Sequence, residues 1–163
     1  MAFAFWTSTF FNPDASLIDG FSITPAIAEN RISFGNVWFQ KEEIGSEVFF
    51  LTAQEHSFGP LQPTYAVSTT MKNGVWAGVG FSNTLRLSDA YQVNLRFLPG
   101  VYSRGKDVDL GGWIMFRSEI GLEYHISDNW GVSVSFDHRS SGDIWPYNPG
   151  METIKISFIK TFI

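Results

Sequence analysis

Residues 129–140 read NWGVSVSFDHRS, a stretch in which side chains two apart share the same character. One set comprises Trp130, Val132, Val134, Phe136, His138 and Ser140, and the other comprises Gly131, Ser133, Ser135, Asp137 and Arg139. Because successive side chains of a β-strand point to opposite faces, this period of two predicts a strand with one mainly apolar face and one mainly polar face. The stretch therefore favours a protein built from β-sheet.

The same alternation recurs along the whole chain between short turn signals such as Gly45-Ser46 and Asn148-Pro149-Gly150. We predict strands near residues 29–41, 47–56, 62–72, 75–87, 90–101, 112–126, 129–140 and 151–162. An even number of strands suits a closed barrel of the bacterial outer membrane. The predicted fold is all-β, an eight-stranded antiparallel transmembrane β-barrel over residues 29–163, after an irregular N-terminal lead-in, residues 1–28.

Length, charge and composition exclude several other classes of protein. The 163 residues suit one domain, and no run of about 18 apolar residues predicts a transmembrane helix. The chain has no cysteine, and its net charge of -5 with no Lys/Arg cluster argues against nucleic-acid binding. Residues 1–11 are apolar without a basic residue, which makes a poor secretory signal, so we expect an exported chain in its mature form.

The polar set of side chains separates a membrane barrel from a soluble, lipocalin-like barrel that binds an apolar ligand inside. It contains charges of both signs that can pair in a lumen: Arg96, Arg117, Glu119, Glu123, Asp137, Arg139 and Lys155. The apolar set is bulky and aromatic, more than a narrow eight-stranded interior readily holds. A membrane barrel with lipid outside and charges inside is therefore favoured.

Three polar residues interrupt the apolar set at one end of the last two strands. His138 and Ser140 end the seventh predicted strand, and Glu152 begins the eighth. A His between a Ser and a Glu can accept the Ser proton while the Glu orients the imidazole. A His-x-Ser sequence and a Glu beside a loop also occur on ordinary surfaces, so the residues alone leave both interpretations open.

Several motifs in the last third of the chain resemble the lipid A 3-O-deacylase family of outer-membrane barrels. They are HRSSG at 138–142, NPGME at 148–152, LGG at 110–112, IGL at 120–122 and NWGV at 129–132. That family carries a His-x-Ser-Asn motif followed, at this same spacing, by a Gly-x-Glu. Here Ser141 stands where the family has Asn.

The resemblance implies a bacterial outer-membrane esterase that hydrolyses the 3-O-linked acyl chain of lipid A. It implies Ser140 as nucleophile, His138 as base and Glu152 as the orienting carboxylate, with neither metal nor cofactor. Backbone amides of Ser141 and Gly142 are the expected oxyanion donors. The expected partners are lipid A or lipopolysaccharide and outer-membrane lipids, and the apolar outer face leaves room for a dimer.

A catalytically silent barrel that stabilises the envelope or binds a surface partner is the alternative, because the Ser141 departure puts catalytic activity in question. The remaining candidates are weaker. His56 has no acidic or Cys partner at ligand spacing, so no metal site is predicted, and His125 is an ordinary turn residue. Tryptophans of a barrel favour interface anchoring, which we expect of Trp113, Trp130 and Trp145. A solvated loop is expected for Arg104, Lys106 and Asp107.

Overall fold

A computed structural model describes residues 23–162 of the chain. The predicted N-terminal lead-in lies outside the described residues as far as residue 22. Ten strands follow: β1 (Ile23–Pro25), β2 (Ala28–Phe39), β3 (Glu42–Ala53), β4 (His56–Phe58), β5 (Gln62–Thr70), β6 (Val75–Arg86), β7 (Tyr91–Ser103), β8 (Ile114–Ser127), β9 (Trp130–Ser140) and β10 (Met151–Phe162). Nothing in this part of the chain forms a helix long and apolar enough to cross a bilayer.

Eight of these strands close into an antiparallel barrel in the order β10-β2-β3-β5-β6-β7-β8-β9. The closure is made by β10, which pairs with β9 on one side and with β2 on the other. Because the barrel is closed, each of its strands pairs with a neighbour on both sides, and no strand is left as an open edge. The predicted eight-stranded antiparallel barrel is confirmed. The short strands β1 and β4 pair separately as a two-stranded sheet.

The two longest connections between neighbouring barrel strands lie at the same end of the barrel. Residues 40–41, 71–74, 104–113 and 141–150 connect strands at one end, which we call the outer end because longer loops of outer-membrane barrels face outward. Strand β2 begins and β10 ends at the opposite, inner end, where residues 128–129 form a tight turn. The two long loops thus lie together, as the alternation of connection lengths predicts.

The first hairpin turns earlier than the sequence predicts. Its turn is Gln40-Lys41, with φ of 51° and 71°, whereas Gly45 lies within β3. Val37 lies opposite Gly45 and Trp38 opposite Glu43, so the intervening residue forms a bulge in β3. The glycine signal that predicted a turn therefore marks the bulge, where Gly45 takes a φ of 144°.

The middle of the lumen holds a balanced network of buried charges. Five acidic and five basic side chains are buried among the described residues: Glu29, Glu47, Glu119, Glu123 and Asp137, with Arg31, Arg96, Arg117, Arg139 and Lys155. Arg117 donates to Glu47 and to Asp137, and Lys155 donates to Glu119 at 2.7 Å and to Asp137 at 2.9 Å. The predicted pairing of lumen charges is confirmed, and it matters because an isolated buried charge is strongly destabilising.

Apolar and aromatic side chains fill the lumen above this network, towards the outer end. Trp76 is completely buried, and its indole N–H donates to the Met115 carbonyl oxygen at 3.2 Å. The guanidinium of Arg117 lies 4.6 Å from the centre of the Phe49 ring, which joins the charged and apolar layers through a cation–π contact. Side chains thus pack the interior of this barrel, as is usual with eight strands.

The outer surface of the wall is apolar, the reverse of a soluble barrel. Its exposed side chains include Phe34, Phe50, Tyr65, Val67, Val79, Phe97, Ile120, Leu122, Val134, Phe136, Ile154, Ile156 and Phe158. A charged lumen inside an apolar wall is the arrangement of a barrel surrounded by lipid. Any polar group on this outer wall therefore stands out.

Candidate active site

The pairing of β9 with β10 brings His138 and Glu152 together on the outer wall. The two residues lie directly opposite each other in the register, and alternation turns both side chains outward beside Phe136 and Ile154. His138 Nδ1 lies 3.2 Å from Glu152 Oε1, and the two side chains are 44% and 35% exposed. When Nδ1 carries a proton, this N–H donates a hydrogen bond to Glu152, and Nε2 remains free to act as a base.

Ser140 is the last residue of β9 and stands two residues beyond His138 on the same face. It is partly buried and lies opposite Phe116 of β8. Within residues 23–162, no hydrogen bond joins the Ser140 hydroxyl to His138. Hydrogen bonds between a nucleophile and its base are often long or poorly aligned before substrate binds. The missing hydrogen bond therefore does not exclude Ser140 and His138 as a catalytic pair.

A second hydroxyl lies next to His138 on the neighbouring strand β8. Ser118 of β8 lies opposite His138 in the register, so Ser118, His138 and Glu152 form one row across three neighbouring strands. Ser118 is exposed on the outer wall. No motif in the sequence indicated Ser118 as a site residue, although the alternation of β8 puts residue 118 on the same face as Phe116 and Ile120.

The backbone after Ser140 turns sharply, and the two expected oxyanion donors differ in their partners. The Ser141 N–H donates to Asn148 Oδ1 at 2.8 Å, and the Ser141 side chain is completely buried. The Gly142 N–H has no protein acceptor among the described residues. Of the two amides, that of Gly142 is the one available to a ligand.

Gly150, just before β10, touches the imidazole of His138. A Cβ built on Gly150 would lie 2.8 Å from His138 Cε1. The φ of Gly150 is 71°, a conformation that residues with a Cβ rarely adopt. The sequence indicated only a turn here. The close approach explains why glycine suits this position, because a larger residue would have to displace the ring.

Apolar surface flanks the polar row on both sides. Towards β2, a cleft of about 510 Å³ is lined by apolar side chains and by three polar ones: Trp38, Phe136, Pro149 and Ile154, with Gln40, Lys41 and Glu152. Towards β7, the rings of Phe97 and Phe116 stack with centroids 5.7 Å apart. A base, two hydroxyls and a carboxylate within apolar surface suit chemistry on a lipid ester near the headgroup boundary.

The outer loop at residues 104–113 packs against the loop at residues 141–150, which connects the two strands of the site. Cβ atoms built on Gly111 and Gly112 would lie 1.7 Å from the Tyr147 carbonyl oxygen and 2.3 Å from the Trp145 ring. Residues 104–113 therefore pack against residues 141–150 at a distance that only glycine allows. The rings of Trp113 and Trp145, 6.4 Å apart, add a contact between the same loops.

The other candidates from the sequence lie away from this row. His125 is near Glu123 and lines a cavity at the inner end, whereas exposed His56 lies 3.8 Å from Glu55. Arg104 pairs with Asp109 in an exposed loop. No group of three or more metal-ligating side chains occurs in residues 23–162.

Comparison with protein families gives a match that spans more than half of the chain. The model of the family described as lipid A 3-O-deacylase (PagL) matches residues 75–160, from β6 into β10. This segment includes His138, Ser140 and Glu152. A comparison with curated protein sequences gave no match.

Solved structures that superpose on this chain include an outer membrane enzyme and a designed transmembrane barrel. The crystal structure of the outer membrane enzyme PagL superposes with a TM-score of 0.64 at 14% identity, covering 81% of this chain and 98% of that one. A de novo designed transmembrane β-barrel gives 0.63 at 12% identity, covering 85% and 98%. Neisserial surface protein A gives 0.56 at 11% identity, covering 86% and 99%. Fold and family match together show that the chain belongs to the lipid A 3-O-deacylase family of bacterial outer-membrane β-barrels.

Proposed function

We propose that this protein is an esterase that hydrolyses the 3-O-linked acyl chain of lipid A, with Ser140 as nucleophile, His138 as general base and Glu152 as the carboxylate that orients the imidazole. The observation that carries the proposal is the 3.2 Å contact between His138 Nδ1 and Glu152 Oε1 on the apolar outer wall. A polar pair in that position is costly unless it has a function there. The family to which the chain belongs supplies the substrate class.

The proposed reaction begins with acyl transfer to the enzyme. His138 Nε2 takes the proton of the Ser140 hydroxyl while Ser140 Oγ attacks the ester carbonyl. The Gly142 N–H donates to the oxyanion that develops on the carbonyl oxygen. The protonated imidazole then gives its proton to the sugar oxygen that leaves, and the acyl chain stays bound to Ser140 Oγ.

Water completes the cycle. His138 Nε2 accepts a proton from a water molecule, whose oxygen attacks the acyl-enzyme carbonyl. Collapse of the second tetrahedral intermediate returns the proton to Ser140 Oγ and releases a free fatty acid. The apolar side chains of the cleft beside Glu152 and the stacked Phe97–Phe116 pair offer surface to the lipid during both steps.

Purified protein, folded in detergent and incubated with lipid A, tests the proposal. We expect release of a free hydroxy fatty acid from lipid A that carries the 3-O-linked chain, and no release from lipid A that lacks it. Release from both would show an esterase of different specificity. No release by a heat-modifiable, folded barrel would indicate a catalytically silent member of the family instead.

A further inference from the structure

The loop between Ser140 and Glu152 opens with a tight turn of unusual backbone. Gly142 and Asp143 both have a φ of 61°, and the Ile144 N–H donates to the Ser141 carbonyl oxygen at 3.3 Å. Positive φ at both central residues is the signature of a type I′ turn. The turn begins directly after the proposed nucleophile and contains the Gly142 amide.

Asp143 adopts positive φ without being glycine, and Asp is one of the few residues with a Cβ that tolerate this conformation. Such conformations persist when surrounding contacts determine them, and they concentrate at functional sites. The support comes from one side chain seven positions beyond Ser141.

Asn148 bonds to the turn at two points with its two different ends. Its Oδ1 accepts the Ser141 N–H at 2.8 Å, and its Nδ2 donates to Asp143 Oδ1 at 2.9 Å. Only an amide side chain offers an acceptor and a donor in this arrangement. Asn148 therefore holds the residue before Gly142 and the residue after it.

We propose that Asn148 is a positioning residue for the ester hydrolysis proposed above, on which this inference rests. By occupying the Ser141 N–H and tying down Asp143, Asn148 leaves the Gly142 N–H as the donor and fixes its direction. Asn148 does not act on the substrate, because both polar ends of its amide are engaged within the loop. Its effect reaches the reaction through the alignment of Gly142.

Exchange of the two side chains tests this assignment. N148A removes both hydrogen bonds, and N148D faces Asp143 with a second carboxylate. The double variant N148D/D143N exchanges the two side chains. The carboxylate introduced at position 148 can accept hydrogen bonds from the Ser141 N–H and from the new amide at position 143. Both bonds are thereby restored, and the charge and volume of the pair are unchanged. We expect kcat to fall about 10²-fold in N148A and N148D with KM nearly unchanged, and to recover in the double variant.

Asn83→Ala is the matched control, since Asn83 ties a loop at the inner end through the Pro60 carbonyl oxygen. We expect it to leave kcat unchanged, and heat-modifiable migration reports folding of every variant. If the wild type hydrolyses lipid A and N148A does so within about twofold of its kcat, the Asn148 assignment alone is wrong. A double variant as slow as N148D overturns it too, and this pair decides the question if N148A fails to fold. A folded but inactive wild type overturns the proposed function and this inference with it.

Discussion

His138 lies directly opposite Glu152 in the β9–β10 register, and the two side chains meet with Nδ1 and Oε1 3.2 Å apart. Both belong to the face that carries Phe136 and Ile154, which the wall exposes to lipid. The register of a single hairpin therefore determines the proposed base and its carboxylate. No long-range loop closure is needed to bring them together.

Glu152→Gln tests the orienting role of this carboxylate. Gln is of similar size, but its amide can donate to Nδ1, which favours the tautomer with the proton on Nε2 and removes the base. We expect kcat to fall by about 10³–10⁴, the order seen when the orienting carboxylate of a Ser-His-Asp triad becomes an amide. Steady-state kinetics on lipid A measure this, and a loss below tenfold would contradict the role.

The two hydroxyls beside His138 are separated by Ser140→Ala and Ser118→Ala. We expect S140A to abolish covalent labelling by a fluorophosphonate, whereas S118A keeps the label on Ser140. We expect this because a candidate oxyanion donor, the Gly142 N–H, follows Ser140 two residues later in the chain. Peptide mapping of the labelled protein gives the answer, and a label on Ser118 in the wild type would reverse the assignment.

Gly150→Ala tests the contact between the loop and the imidazole. The added methyl group would lie 2.8 Å from His138 Cε1, so the ring or the loop has to move and the contact between His138 and Glu152 is disturbed. We expect a loss of kcat of about 10-fold or more, since small displacements at a reacting group reduce rate strongly. Gly45→Ala is the control, because Gly45 also has a positive φ but nothing lies within 4 Å of its added Cβ. Equal activity of the two variants would argue against this contact.

Lys155→Ala tests the charge network of the lumen. The variant leaves Glu119 and Asp137 without the ammonium that both accept from, and breaking a buried pair costs about 3–5 kcal/mol. Lys160→Ala serves as the control, since Lys160 lies over Trp130 on the outer wall and the loss of that contact costs about 0.5–1 kcal/mol. Urea unfolding in detergent measures both, and equal midpoints would contradict a structural role for the network.

The fold and the face of the site were predictable because the side-chain period of a strand is two. Alternation alone puts His138, Ser140 and Glu152 on the same face as the apolar side chains, and turn signals place them at one end of the barrel. The first hairpin was not predictable in the same way. Neither Gln40 nor Lys41 favours positive φ, whereas Gly45 does, so local preference indicated the wrong turn.

The finer parts of the site depend on contacts that residue spacing does not encode. Ser118 joins the row only through the β8–β9 register, which a bulge between His125 and Ser127 shifts. Asn148 reads as an ordinary turn residue until its amide is seen to bond to Ser141 and Asp143. Loop hydrogen bonds of this kind arise from the folded geometry of the loop.

Mass spectrometry of lipid A from cells that express the protein is the decisive measurement for the proposed esterase. We expect wild-type protein to remove one 3-hydroxyacyl chain from lipid A. We expect Ser140→Ala and His138→Ala, present in the outer membrane at the same level, to leave lipid A intact. Unaltered lipid A in cells with folded wild-type barrel, or the same loss of a chain in both variants, would contradict the proposal.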